Sequence, residues 1–117
     1  MFSLDVSNGD YLRIHASGRL TPRDYDALDP AVEAELARWA GRAPLLLDLQ
    51  GWRGWSAGGL LRDLRFDFRH RNSFPRIAVV GDRPWHKWLT LAAKPLFSGE
   101  IRYFQQEREA VEWVTAE

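Results

Sequence analysis

Two short stretches of this chain interleave indoles, cations and hydroxyl or imidazole groups: Trp52-Arg53-Gly54-Trp55-Ser56 and Trp85-His86-Lys87-Trp88. Each follows an apolar run, Leu45–Leu49 in the first case and Ile77–Val80 in the second. An indole joins an apolar body to one polar N–H, so it suits pockets, protein interfaces and membrane surfaces alike. Cations among such rings add a grip on lipid phosphates or on the acidic head of an amphipathic ligand. Trp85 and Trp88 are three residues apart and share a helix face. Trp52 and Trp55 flank Arg53-Gly54 in what reads as a mobile, glycine-rich loop. The rings also fit a plainer role, capping the end of a sheet as core.

Other chemistries find less support. His15, His70 and His86 lack metal-ligand spacing, and there is no cysteine for a thiolate site, a disulfide or a nucleophile. Ser56 lacks the Gly-x-Ser-x-Gly elbow, and Gly51-Trp52-Arg53-Gly54 lacks the Lys-Ser/Thr of a phosphate loop. Asp48, Ser56, Asp82 and His86 sit near predicted strand ends, where a cluster would suit acid–base work. Asp48 and Asp82 equally suit hydrogen bonds to loop amides, and His86 an exposed place in a first helical turn. No catalytic residue, cofactor or metal is expected.

A second candidate surface lies between the two apolar runs. At ~100° per residue, Leu60, Leu61, Leu64 and Phe68 fall on one side of a helix, read here as its core face. Phe66 and His70 fall nearly opposite, and Arg62, Arg65 and Arg69 form a row between. That row reads either as a solvated face balanced by Asp63 and Asp67 or as a nucleic-acid surface. No nucleic-acid motif accompanies it.

The elements that must position these residues follow from periodicity. Phe2, Leu4 and Val6 alternate with polar residues, Ser7-Asn8-Gly9-Asp10 is a turn signal, and Tyr11–Ser17 is a second strand. Thr21 caps a helix opened by Pro22, with Tyr25, Leu28, Val32, Leu36 and Trp39 as its stripe. Asp29-Pro30 predicts a kink or two helical pieces. Leu45–Leu49 and Ile77–Val80 are central strands buried on both faces. Ser56 is placed to cap the second helix, Pro84 opens the third, Ile101–Phe104 is a last strand and Glu107–Thr115 a last helix. The order β-β-α-β-α-β-α-β-α predicts one α/β domain over 1–117, with a mostly parallel sheet and an antiparallel opening strand. Ligands of such sheets bind outside the carboxyl ends of the strands, where both tryptophan stretches fall.

With 117 residues and 16 acidic against 16 basic side chains, the chain has no global field to draw in nucleic acid. Neither a secretory signal nor an apolar run of ~20 residues is visible, so a cytoplasmic protein is expected, with peripheral membrane attachment open to it.

Gly18-Arg-Leu-Thr-Pro-Arg-Asp-Tyr25, Leu46-Leu-Asp-Leu49, Asp63-Leu-Arg-Phe-Asp-Phe-Arg-His70 and Arg76-Ile-Ala-Val-Val-Gly-Asp82 followed by Trp85 resemble, in order, the SpoIIAA-like family of small bacterial proteins, related to STAS and CRAL-TRIO domains. The resemblance implies a STAS-type fold with about four helices, packed mainly on one side of the sheet, and no enzymatic activity. It implies either protein partners, as for anti-sigma-factor antagonists, or hydrophobic ligands, as for CRAL-TRIO proteins. The antagonists carry Asp-Ser-Ser-Gly-Leu after the central strand. Here Ser56-Ala57-Gly58-Gly59-Leu60 puts Ala57 at the phospho-acceptor position, which speaks against a kinase-driven cycle.

The sequence thus predicts a non-enzymatic module. Trp52, Arg53, Trp55, Ser56, Trp85, His86, Lys87 and Trp88 would bind an amphipathic, lipid-like molecule or a membrane surface. The alternative is a protein-interaction module, or homodimer, using Arg62, Arg65, Phe66, Arg69 and His70.

Overall fold

The computed structural model describes residues 1–5 and 9–116. Seven strands and four helices follow one another as β1 (Phe2–Asp5), β2 (Leu12–Ala16), β3 (Gly18–Leu20), α1 (Pro22–Ala37), β4 (Leu45–Asp48), β5 (Trp52–Trp55), α2 (Gly59–Arg69), β6 (Arg76–Val80), α3 (Pro84–Ala93), β7 (Glu100–Phe104) and α4 (Glu107–Val114). A short 3-10 turn, Lys94–Leu96, extends α3. The main sheet runs β1-β2-β4-β6-β7. β1 is antiparallel to β2 and every other pairing is parallel. The expected α/β architecture is present. The turn expected at Ser7-Asn8 lies outside the described residues.

Register sorts the side chains by face, because successive residues of a strand point to opposite sides. Leu45 pairs with Ile77, and Leu47 with Val79, toward α1, α2 and α3. Leu46 pairs with Ala78, and Asp48 with Val80, toward α4, where Ala110 and Val114 close a smaller core. Three helices therefore cover one face and a single helix the other. Arg13 ties α4 down: its guanidinium donates to Asp48 Oδ2 at 2.6 Å and Glu107 Oε1 at 2.8 Å.

α1 starts as its sequence requires. The Asp24 amide donates to Thr21 Oγ1 and the Thr21 amide to Asp24 Oδ2, a reciprocal cap ahead of Pro22. Of the two forms expected at Asp29-Pro30, two helical pieces do not occur: α1 is one continuous helix through Pro30. Leu28 and Val32 on either side of the proline are both buried in the core, and Asp29 is held by Arg69 and His70 of α2. Packing on both flanks overrides the local cost of the proline.

Two further expectations change. Trp52–Trp55 is a strand rather than a mobile loop. β3 and β5 prolong the neighbouring strands β2 and β4 beyond the main sheet and pair there in parallel. Ser56 does not cap α2 through its side chain. Its amide donates to the Leu20 carbonyl at 2.8 Å and its carbonyl accepts the Gly59 amide at 3.0 Å. Gly58 holds the cap position at φ 86°, a left-handed conformation natural to glycine. Gly59 presses on β3 so closely that an added Cβ would lie 2.3 Å from the Leu20 carbonyl oxygen.

Candidate functional site

Between the sheet and its three covering helices lies a cavity of about 300 Å³. Its floor is the α1–α3 face of the sheet, including Ile14, Leu47, Ile77 and Val79. Tyr25 and Leu28 of α1 line it, as do Leu60, Asp63, Leu64 and Asp67 of α2, Leu89, Ala92 and Ala93 of α3, and Leu96 beyond α3. Leu60, Leu64 and Leu96 line the cavity and are also exposed, so they form its lip.

The hollow exists because α2 rests on α1 rather than on the sheet. Arg62 pairs with Asp26, and Arg69 reaches Asp29 at 2.9 Å and Glu33 at 2.7 Å. His70, fully enclosed, meets Asp29 Oδ1 through Nε2 at 2.7 Å, and its ring packs on Phe66 at 4.6 Å. This corrects the reading of α2. Phe66 and His70 point inward, and Arg62 and Arg69 are engaged with α1, so of the proposed partner surface only Arg65 and the ion-paired Arg69 stay exposed. The stripe assigned to the core is instead outward: Leu61 is 71% exposed and Phe68 64%. Charge pairing and aromatic packing fasten one side of α2 to α1, so its leucines overhang the cavity. Asp29, Glu33 and His70 bring ligand-type atoms within 4.8 Å of one another, but Arg69 already supplies the positive charge there.

The tryptophan stretches do meet. Trp52 packs edge-on to Trp55 at 4.8 Å and against Trp85 at 4.9 Å, one aromatic cluster at the carboxyl end of the strands. Trp52 and Trp55 line the cavity, Trp52 itself being buried. Trp85 is partly exposed and Trp88 is 68% exposed on the outward flank of α3. Arg53 and Lys87 are exposed beside the cluster, and Ser56 turns its hydroxyl to the Ala57 carbonyl. His86 departs most from expectation. It is fully buried; Nδ1 accepts the Asp82 amide at 3.3 Å, so Nε2 carries the proton and donates to the Trp52 carbonyl at 3.1 Å. It bolts the start of α3 to β5 and does not face a ligand. Asp48 likewise does not join Ser56, Asp82 and His86. It belongs to the α4 face with Arg13.

The polar groups that face the cavity join Trp55, expected at the site, to Tyr25, Asp63 and Asp67, which were not. Trp55 Nε1–H donates to Tyr25 Oη at 2.9 Å, and Tyr25 donates to Asp63 Oδ1 at 2.7 Å. Asp67 stands one turn further on, beside Asp63. Burial raises the Asp63 carboxyl above its ordinary range. Burial and then the neighbouring Asp63 charge push Asp67 up to about 9. Burial and the Asp63 charge raise the Tyr25 phenol as well. Asp63 and Asp67, expected as counter-charges to the arginine row, line the cavity instead. A signal was present: at ~100° per residue Asp67 falls next to Leu60 and Leu64 on the helix, at the edge of the apolar stripe and not among the arginines.

The SpoIIAA-like family profile matches residues 11–115. Among solved structures, the chain is similar to an uncharacterized protein of the DUF3478 family with a SpoIIAA-like fold from Shewanella loihica PV-4. The two share 29% identity over 97% of this chain and 92% of that one, with a TM-score of 0.83. No curated protein matches the chain.

Proposed function

The chain belongs to the SpoIIAA-like family, whose fold is that of a small binding or interaction module, and from that premise we propose that it is a non-enzymatic carrier or sensor of one hydrophobic small molecule. The cavity carries this reading. Its volume of about 300 Å³ is at the lower end of the range for small-molecule sites, and its lining is almost wholly apolar with a few convergent polar groups. Trp52 and Trp55 would contact the ligand. Leu60, Leu64 and Leu96 form the way in, and the exposed Leu61, Phe68 and Trp88 around it would rest on a membrane or a donor protein while the ligand transfers. Among the described residues no helix is long and apolar enough to cross a membrane, so any membrane contact of the helices would be superficial.

Native mass spectrometry of freshly purified protein tests the reading directly, by the mass of a co-purifying small molecule. Ala93→Phe, which places a ring in the cavity, is expected to abolish that adduct while the chain stays folded. An adduct retained at full occupancy in this variant would remove the cavity as the binding site.

A second reading, docking of a protein partner, draws on the same exposed apolar flank of α2 and α3. The inward orientation of Phe66 and His70 moves that surface to Leu61, Phe68 and Trp88. A pull-down insensitive to Phe68→Ser and Trp88→Ser would argue against it.

A further inference from the structure

The cavity's polar wall is one-sided in charge. Among the described residues its titratable groups are Tyr25, Asp63 and Asp67, and no lysine, arginine or histidine lines it. The donors that reach it are already engaged within the protein. Trp55 Nε1–H is held by Tyr25, the Tyr25 hydroxyl by Asp63, and the Thr90 hydroxyl by the His86 carbonyl at 2.8 Å. Trp52 Nε1–H is held by the Gly54 carbonyl at 3.0 Å. An anionic head would find neither a cation nor a free donor, and would meet the charge of the carboxyl pair. The arginines of α2 do not offset that charge, since Arg62 and Arg69 are turned to Asp26, Asp29 and Glu33.

We propose that the cavity selects a hydrophobic amine, an apolar body with a single protonated nitrogen that seats between the carboxyls of Asp63 and Asp67. This rests on the carrier reading and narrows it, replacing the acidic head expected from the sequence with a basic one. Burial raises both carboxyls, and in a hollow lined by no cation this pair is the acidic group that an ammonium can meet. One ammonium group adds charge-assisted hydrogen bonds to these carboxyls, beside the bond that Asp63 Oδ1 accepts from Tyr25. A hydrogen bond to a charged group is among the stronger kinds, and stronger still where water is excluded. A hollow of about 300 Å³ suits an alkyl tail of moderate length.

The experiment titrates the intact protein with decylamine, decanol and decanoate below their micellar concentrations, following tryptophan emission and, independently, calorimetric heat. Decylamine is expected to bind at least about tenfold more tightly than decanol, with decanoate weakest. In Asp63→Asn/Asp67→Asn, which keeps the shape and removes the charge, the amine is expected to lose that advantage over the alcohol. Circular dichroism establishes that this variant is folded. Should it fail to fold, the ranking in the unaltered protein still decides. Decanoate or decanol binding as well as decylamine, or an amine preference that survives the double substitution, overturns the amine assignment and leaves the carrier reading standing. Absence of binding by all three overturns both.

Discussion

The two faces of the sheet are built to different standards. On the α4 side, Leu46, Ala78 and Val80 meet Ala110 and Val114, and all five are essentially excluded from solvent. Two alanines let the helix approach closely, and Arg13 pins it through Asp48 and Glu107. On the α1–α3 side the apolar surface is larger, yet three helices leave about 300 Å³ between themselves and the strands. Close-packed protein interiors rarely tolerate such a void. One face is filled and the other keeps a hollow.

Neighbouring leucines on β4 test that contrast most strongly. Leu46→Ala is expected to cost about 2–5 kcal/mol, because it opens a new hole in a filled core. Leu47→Ala is expected to cost less than half as much, since it only enlarges an existing hollow. Urea denaturation of the pair measures both, and equal losses would erase the distinction between the faces.

Next in size is Gly59→Ala, which drives a methyl into the Leu20 carbonyl where α2 begins. A loss of about 1–3 kcal/mol is expected. Hydrogen exchange should place the damage in β3, β5 and α2 and leave α4 untouched.

The carboxyl pair sharpens the comparison through pH. Folding keeps a proton on Asp67 up to about 9, whereas the unfolded chain releases it near ~4. Between those values the native state binds more protons than the unfolded one, so stability falls as pH rises. Asp67→Asn removes this loss. Its melting temperature is expected to match the parent's near about pH 4 and to exceed it increasingly toward about pH 9. Parallel melting curves across that window would mean that Asp67 ionises normally.

The smallest expected stability effect is on the exposed flank of α2. Phe68→Ser and Leu61→Ser should change stability by only about 0.5 kcal/mol, as exposed substitutions do. Both are expected to slow ligand uptake from vesicles, as followed by stopped-flow fluorescence.

How far these features could be read from the chain differs by type. The cap at Thr21, the stripe of α1 from Tyr25 to Leu36, the two buried central strands and the opening proline of α3 are local signals and stand where they were expected, whereas Trp39, expected to continue the stripe, lies in the turn beyond Ala37. β5 was read as a loop because its pairing partner β3 comes beside it only after β2 and β4 have aligned. The orientation of α2 was missed for a related reason. A helical wheel finds the leucine stripe but not whether the sheet, a hollow or solvent lies opposite it. His86 looked exposed from its place in a first turn. Its burial depends on the Trp52 carbonyl, 34 residues away in the chain. The convergence of the tryptophans at the strand ends followed from the α/β topology, whereas the Tyr25–Asp63 contact spans two helices and left no local mark.

An unfilled hydrocarbon hollow leaves its lining short of dispersion contacts. A molecule that enters it binds the native chain and not the unfolded one, and so raises the work of unfolding by mass action. Cellular proteases act on opened chains, so the half-life of this protein would lengthen when its guest is plentiful and shorten when it is scarce. The hollow described above would then make abundance itself a readout of supply, with no dedicated regulator needed.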